Sequence, residues 1–220
     1  LIEIKDSFDL LKFLKKQNLL ENSPEFWWPN SNDFEITIGA ILTQNTKWEN
    51  VEKSLKNLKD LNLLSLEALI EVDIEILIKA ITPSGFKNQK SHRIKLFAKN
   101  ILDEFGSFEN FQKNVSRAWL LSQKGIGQET ADAILCYGCH QEFMVVDKYT
   151  QKLLLLFNYK FDSYEDLSAW CEYGINENLD RIYELYGYEI SLNKLYCRFH
   201  GKIIEYMKQS KSKSFTRVEK

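Results

Sequence analysis

Apolar residues recur three and four positions apart along almost the whole chain, which predicts helix after helix. Leu10, Leu11, Phe13 and Leu14 mark a first amphipathic stretch that Asp6 or Ser7 can cap. After a break at Glu21-Asn-Ser-Pro24 comes the dense cluster Phe26-Trp27-Trp28-Pro29. Phe34 to Leu42 is mostly apolar and leads into Thr43-Gln44-Asn45-Thr46; Trp48, Val51, Leu55 and Leu58 then set out another helix face. Leu63 to Ala80 reads as one or two short helices divided at Asp73-Ile74, and Thr82-Pro83-Ser84-Gly85 as a loop. His92 to Phe105 is helical in pattern until Gly106-Ser107 stops it, and Phe108 to Leu121 supplies the next helix. Glu129 to Cys139, Lys148 to Phe157, Tyr164 to Cys171, Asn178 to Tyr186 and Ser191 to Met207 complete the series. No strong alternating strand pair interrupts it. The expectation is an all-α protein.

Composition narrows this picture. The chain has 220 residues, enough for a hydrophobic core without covalent staples, and its 3 prolines and 9 glycines suit long helices. Its 29 basic and 31 acidic residues give a formal charge of -2, so a nucleic-acid partner needs a local basic face. The cysteines Cys136, Cys139, Cys171 and Cys197 are too few and too irregular for a secreted disulfide scaffold. The opening stretch has charges spread through it, unlike a signal peptide, and no run is apolar enough to span a membrane. The expected location is therefore a reducing cytoplasm.

The most informative segment is Leu120-Leu-Ser-Gln-Lys-Gly-Ile-Gly-Gln-Glu-Thr-Ala-Asp132. Gly125 and Gly127 permit a sharp turn with uncovered amides, and a helix starting near Gln128 points its free N–H groups the same way. Backbone amides at a helix start hold a phosphate without a large field of basic side chains. Lys124 and Thr130 can add side-chain contacts. A plain helix–helix turn would look the same in isolation. Some twenty residues on, Val145-Val146-Asp147-Lys148-Tyr149 puts a carboxylate at a helix start. The ordinary role there is an N-cap, and a capped carboxylate stays ionised and can face a developing cation.

Together these residues resemble the helix-hairpin-helix plus aspartate signature of the endonuclease III superfamily of DNA glycosylases, over about Phe34 to Met207. Within it, Trp27-Trp28-Pro29, Leu42-Thr-Gln-Asn-Thr46 and Arg198-Phe-His-Gly-Lys202 look like the small bacterial 3-methyladenine DNA glycosylases. The resemblance implies two helical domains with an interdomain active-site cleft. Residues 1–29 and 142–220 would form a noncontiguous domain carrying Asp147, 30–141 a central bundle ending in the hairpin, and 208–220 a flexible basic tail. It implies Asp147 as the catalytic carboxylate, and Trp27, Trp28, Pro29, Trp48 and Lys202 as the base pocket. Gln44, Lys124, Gly125, Gly127, Gln128 and Thr130 would contact DNA, Gln44 filling the hole left by a flipped nucleotide. Hairpin carbonyls could coordinate a monovalent cation, and Lys202 corresponds to a lysine that can be chemically modified.

The departures are equally specific. Members that also cut the strand use a lysine Schiff base two residues after the second hairpin glycine; Glu129 stands there, so lyase chemistry is not expected. Only Cys197 lies where others carry four cysteines, so no cofactor and no iron–sulfur cluster are expected. Cys136-Tyr-Gly-Cys139-His140 has haem- or zinc-like spacing but reads as core. Lys87, Lys90, His92 and Arg93 form either a second DNA-facing patch or a solvated helix start, and His200 orients DNA or a pocket group, or simply packs. The expected activity is hydrolytic excision of 3-methyladenine from duplex DNA by a bacterial monomer, with no membrane partner. The alternatives are a glycosylase for uracil or a mismatched base, a non-catalytic helix-hairpin-helix DNA-binding module, and a helical scaffold.

Overall fold

The structure, a computed structural model, describes residues 3–28 and 33–215, the side chains of 211–215 excepted. Among the described residues it contains thirteen α-helices and no strand. The chain divides into two compact units: 1–29 with 142–220, and 30–141. No helix among the described residues is long and apolar enough to cross a membrane.

The first unit is built around α1 (Ser7–Lys15). Asp6 starts it by accepting from the Asp9 amide at 2.8 Å, and Phe8, Leu10, Leu11 and Leu14 give it one buried face. That face packs on α11 (Tyr164–Asn176) and α13 (Leu192–Phe215), with α10 (Lys148–Leu155) against α13 and α12 (Leu179–Tyr186) against α11. The Ser7 hydroxyl donates to the Cys171 carbonyl at 2.7 Å, and the Tyr159 hydroxyl donates to Ile4 and Lys5 carbonyls at 3.0 and 2.9 Å. Gly174 makes the close approach possible, because a Cβ there would strike the Ser7 hydroxyl and lie 2.7 Å from its backbone nitrogen. Backbone cannot rotate aside as a side chain can. We expect Gly174→Ala to cost about 1–3 kcal/mol in urea unfolding; an unchanged midpoint would show that α1 is not held this tightly. The last helix continues past Lys208 to Phe215, so the segment expected to begin a flexible tail is helical that far.

The central unit wraps α2 (Asp33–Leu42), whose residues from Phe34 to Leu42 are buried except Ile36. A helix apolar on nearly every side belongs inside a bundle. Around it run α3 (Trp48–Asp60), α4 (Leu66–Glu71), α5 (Ile74–Ile81), a 3₁₀ turn (Thr82–Ser84), α6 (Lys87–Phe105), α7 (Phe108–Asn114), α8 (Arg117–Ser122) and α9 (Gln128–Ala133). Asp73 caps α5, and Leu63 to Ala80 thus holds two helices. Phe108 to Leu121 also splits, because Val115 is extended and the Ser116 hydroxyl accepts from the Trp119 amide at 3.2 Å to start α8. Much of the aromatic content is core here: Phe97, Phe105, Phe111 and Trp119 meet mostly edge to face at centroid distances of 5.0–5.9 Å.

After α9 the backbone widens into a π turn (Ile134–Gly138), where the Cys139 amide donates to the Ile134 carbonyl at 2.9 Å. Cys136 and Cys139 are buried thiols within this segment. His140 Nε2 lies 3.0 Å from an Asp33 carboxylate oxygen, so the two ends of the central unit are tied to each other.

Candidate functional site

In the central unit the hairpin between α8 and α9 is a turn with a buried pivot. Gly125 takes φ +83°, a conformation that suits glycine, while Ile126 is buried and its amide donates to the Gln123 carbonyl at 3.1 Å. Gly127 precedes α9 in extended backbone with open space where a Cβ would sit. Lys124, Gly125 and Gly127 are exposed, Gln128 is half-buried, and Thr130 is buried.

Gln44, from the loop after α2, reaches this turn. Its amide nitrogen donates to the Gly125 carbonyl at 2.9 Å and to the Thr130 hydroxyl at 3.0 Å. The Arg93 guanidinium lies 3.5 Å from the Gln44 side-chain oxygen and packs over Gly125, where an added Cβ would strike it. Gln44, Gly125, Thr130 and Arg93 therefore form one cluster. Asp132 does not face outward: it is 2% exposed and accepts from Arg117 at 2.6 and 3.1 Å, locking α9 to α8. Glu129 is exposed.

Of the basic residues at the start of α6, Lys90 is not part of a surface patch. It is 2% exposed and its ammonium donates to the Leu42 carbonyl at 2.7 Å and the Ser84 carbonyl at 2.8 Å. The C-terminal carbonyls of α2 have no intrahelical partners, and a cation suits that negative dipole end. Lys90 thus anchors the backbone just before Gln44. Trp48 is the half-buried first residue of α3 in this same unit.

The other unit holds the carboxylate. Asp147 caps α10: its Oδ1 accepts from the Tyr149 amide at 2.9 Å, the Thr150 amide at 2.8 Å and the Thr150 hydroxyl at 3.1 Å. Oδ2 faces His200, whose Nε2 stands 3.7 Å away, too far for a direct hydrogen bond. Burial pushes the carboxyl up, but the facing His200 imidazole and the Thr150 donors outweigh it and hold its pKa below the usual range. The group is ionised with one oxygen committed to the helix.

Beside it on α13, the His200 ring meets the Trp27 indole edge to face at 5.5 Å, and Trp27 lies across Gly201, where a Cβ would enter the indole. Trp27 adopts φ +69° in a turn in which its amide donates to the Pro24 carbonyl at 2.9 Å; Trp28 is buried. Asp147, His200, Trp27 and Gly201 form a second cluster. Pro29 lies outside the described residues. Lys202 is 5% exposed and opens on a different cavity of about 410 Å³, also lined by Lys15, Tyr186 and Arg198.

Burial lowers the pKa of both Lys90 and Lys202 to about 8, helped by Arg93 for the first and by Arg198 and Lys15 for the second. Below pH 8 both are protonated whether the chain is folded or not, and the burial cost is complete. Between 8 and 10.5 the unfolded chain holds more protons, so stability rises with pH. Burial raises the thiols Cys139, to about 12, and Cys171, so from about pH 9 the folded chain keeps protons that the unfolded chain loses, and stability falls. We therefore expect urea unfolding in chloride buffers to show a gain of about 2 kcal/mol from pH 7 to 9, a plateau to about 10.5 and a decline beyond. A stability already falling between pH 7 and 9 would contradict the burial of these ammonium groups.

Residues 38–167 match the family model of the HhH-GPD superfamily base excision DNA repair protein. Over 202 residues the chain is 35% identical to a Methanocaldococcus jannaschii protein provisionally named a DNA repair glycosylase, a match covering 88% of this chain and 91% of that one. The fold is similar to the crystal structure of Helicobacter pylori 3-methyladenine DNA glycosylase (MagIII) bound to 1,N6-ethenoadenine, with TM-score 0.90 and 48% identity over 93% of this chain and 98% of that one. A non-covalent endonuclease III–DNA complex shares the fold, with TM-score 0.64 and 17% identity over 91% and 85% of the two chains.

Proposed function

Because the chain belongs to the HhH-GPD superfamily of base excision DNA repair proteins, we propose that it is a monofunctional DNA glycosylase that flips 3-methyladenine out of duplex DNA and hydrolyses its glycosidic bond. The observation that carries this reading is the ionised, capped Asp147 carboxylate facing His200, whose ring meets the Trp27 indole, in a chain 48% identical to a 3-methyladenine glycosylase.

The chemistry suits these groups. A 3-methylated adenine is cationic, so its bond to the sugar is already weak and the leaving base needs little general-acid help. What remains is to hold a flat cation and to stabilise the positive sugar that forms. Aromatic faces do the first, at about 0.5–2 kcal/mol per good contact, and Trp27, Trp28 and Trp48 are the candidates. Asp147 does the second through Oδ2, and orients or deprotonates the attacking water. The Glu129 side chain offers no amine for a Schiff base, so the abasic strand stays intact.

The hairpin would grip the DNA backbone with the amides at and after Gly127, while Gln44 and Arg93 fix the turn. This reading gives Gln44 a brace's role in addition to the wedge role expected of it. Gly127→Ala separates the two functions of the turn, since no residue beyond its two chain neighbours comes within 4 Å of the added Cβ. We expect an unchanged thermal midpoint and a duplex affinity lower by about fivefold to tenfold, read by fluorescence anisotropy. Full affinity in that variant would remove Gly127 from the phosphate contact.

The deciding experiment is a panel of duplexes, each with one defined lesion: 3-methyladenine, 1,N6-ethenoadenine, uracil and a mismatch. Released base and strand breaks are both measured. The proposal requires release of 3-methyladenine with no break before alkali treatment. Release of uracil or the mismatched base alone replaces the substrate, and salt-dependent binding without release leaves a DNA-binding module.

A further inference from the structure

The 410 Å³ cavity on the first unit holds more positive charge and more unused hydrogen-bonding capacity than its own residues satisfy. Lys202 is 5% exposed, and its three N–H donors find one acceptor, the Leu19 carbonyl at 3.3 Å. The Tyr186 hydroxyl on the same wall is buried with no hydrogen-bond partner. Lys15 reaches in from α1, its ammonium 5.1 Å from the centre of the Tyr186 ring. Arg198 is fixed by donating to the carbonyls of Pro24, Glu25 and Leu20 at 3.1–3.3 Å, which orient the guanidinium but do not neutralise it.

Two carboxylates, Glu21 and Glu25, border the cavity against the four basic side chains of Lys15, Lys194, Arg198 and Lys202, so positive charge remains in excess. Glu25 is paired with Lys194 at 2.6 Å, and Glu21 is exposed to water. Lys15 and Arg198 instead act on Lys202 as like charges. A buried ammonium without a counter-ion and a buried phenol without a partner are each costly, and both residues line one cavity. We propose that this cavity is an oxyanion site sized for a phosphate group, held by Lys15, Arg198 and Lys202 with the Tyr186 hydroxyl as donor. Four oxygens arranged tetrahedrally can accept from donors on three different helices at once, which a planar carboxylate does poorly. The phosphate can be free inorganic phosphate or a phosphate of the DNA backbone, and the two share this chemistry.

The test is thermal unfolding of the whole chain at pH 7 in sodium phosphate against sodium chloride of equal ionic strength. Phosphate also stabilises proteins by general exclusion from their surface, but that effect does not saturate. The site predicts a saturating rise of roughly 5–10 °C at a hundredfold excess over Kd. Lys15→Met and Tyr186→Phe should each weaken phosphate roughly tenfold or more. Tyr186→Phe should not lower the midpoint in chloride, since it removes an unpaired hydroxyl and keeps the ring; Lys15→Met removes a like charge and also the ammonium over that ring, so its phosphate response is read against its own chloride midpoint. A rise that never saturates, or that is equal in the parent and both variants, overturns the site. Given a saturating rise, undamaged duplex affinity with and without phosphate identifies the source: competition assigns the site to the DNA backbone, and unchanged affinity to free phosphate.

Discussion

Asp147→Asn leaves the protein folded and lowers single-turnover base release by about 10²–10³-fold. The two halves of this result have separate causes. Asparagine caps a helix as well as aspartate does, and its side-chain oxygen can accept from the Tyr149 and Thr150 amides as Oδ1 does now. What disappears is the charge. A carboxylate about 4 Å from a cationic sugar is worth about 4 kcal/mol at an effective dielectric constant of 20, close to a thousandfold in rate. Asp147→Ala loses cap and charge together and should in addition cost about 0.5–2 kcal/mol in unfolding. The informative measurement is therefore the Asn variant, with base release and thermal midpoint read on one preparation. Parent-like turnover would end Asp147's catalytic assignment.

Gly201→Ala should damage both stability and lesion recognition. The added methyl would lie 2.6–2.7 Å from Cδ2 and Cδ1 of Trp27 and nearer still to Cγ. An indole is rigid, and this one cannot swing away freely, because its backbone is already held at φ +69° and Trp28 beside it is buried. Overpacking of this kind costs about 1–3 kcal/mol. Since Trp27 also meets His200, which faces Asp147, displacement of the ring should raise KM for the lesion more than it lowers kcat. Intrinsic tryptophan fluorescence reports the movement directly. A variant with the parent's stability and KM would show that Trp27 does not rest on α13 in solution.

The parts of this molecule that could be read from sequence are those governed by neighbours along the chain. A glycine pair with one apolar residue between makes a turn, and Asp147 with Thr150 three residues later makes a capping box. The parts that could not be read depend on distant meetings. Arg93 and Gly125 are 32 residues apart, and nothing local marks their contact. His200 faces a carboxylate 53 residues earlier. Lys90 looks like a surface lysine because its neighbours are charged; its burial is set by the Leu42 and Ser84 carbonyls, which only the folded bundle brings together. The break at Val115 went unseen for a subtler reason. Helical periodicity continues through it, and Ser116 is recognisable as a cap only once the chain before it is known to be extended.

The order in which the chain is made adds a constraint of another kind. Ser7 bonds Cys171, 164 residues later, and at synthesis rates of about 5–20 residues per second α1 waits roughly 8–33 s for that partner. Throughout that interval Phe8, Leu10, Leu11 and Leu14 have no face to bury, while residues 30–141 emerge as a complete unit. During translation α1 is therefore a segment that a chaperone would have to shield until α11 is made. The central bundle can mature before the unit that carries Asp147 is completed.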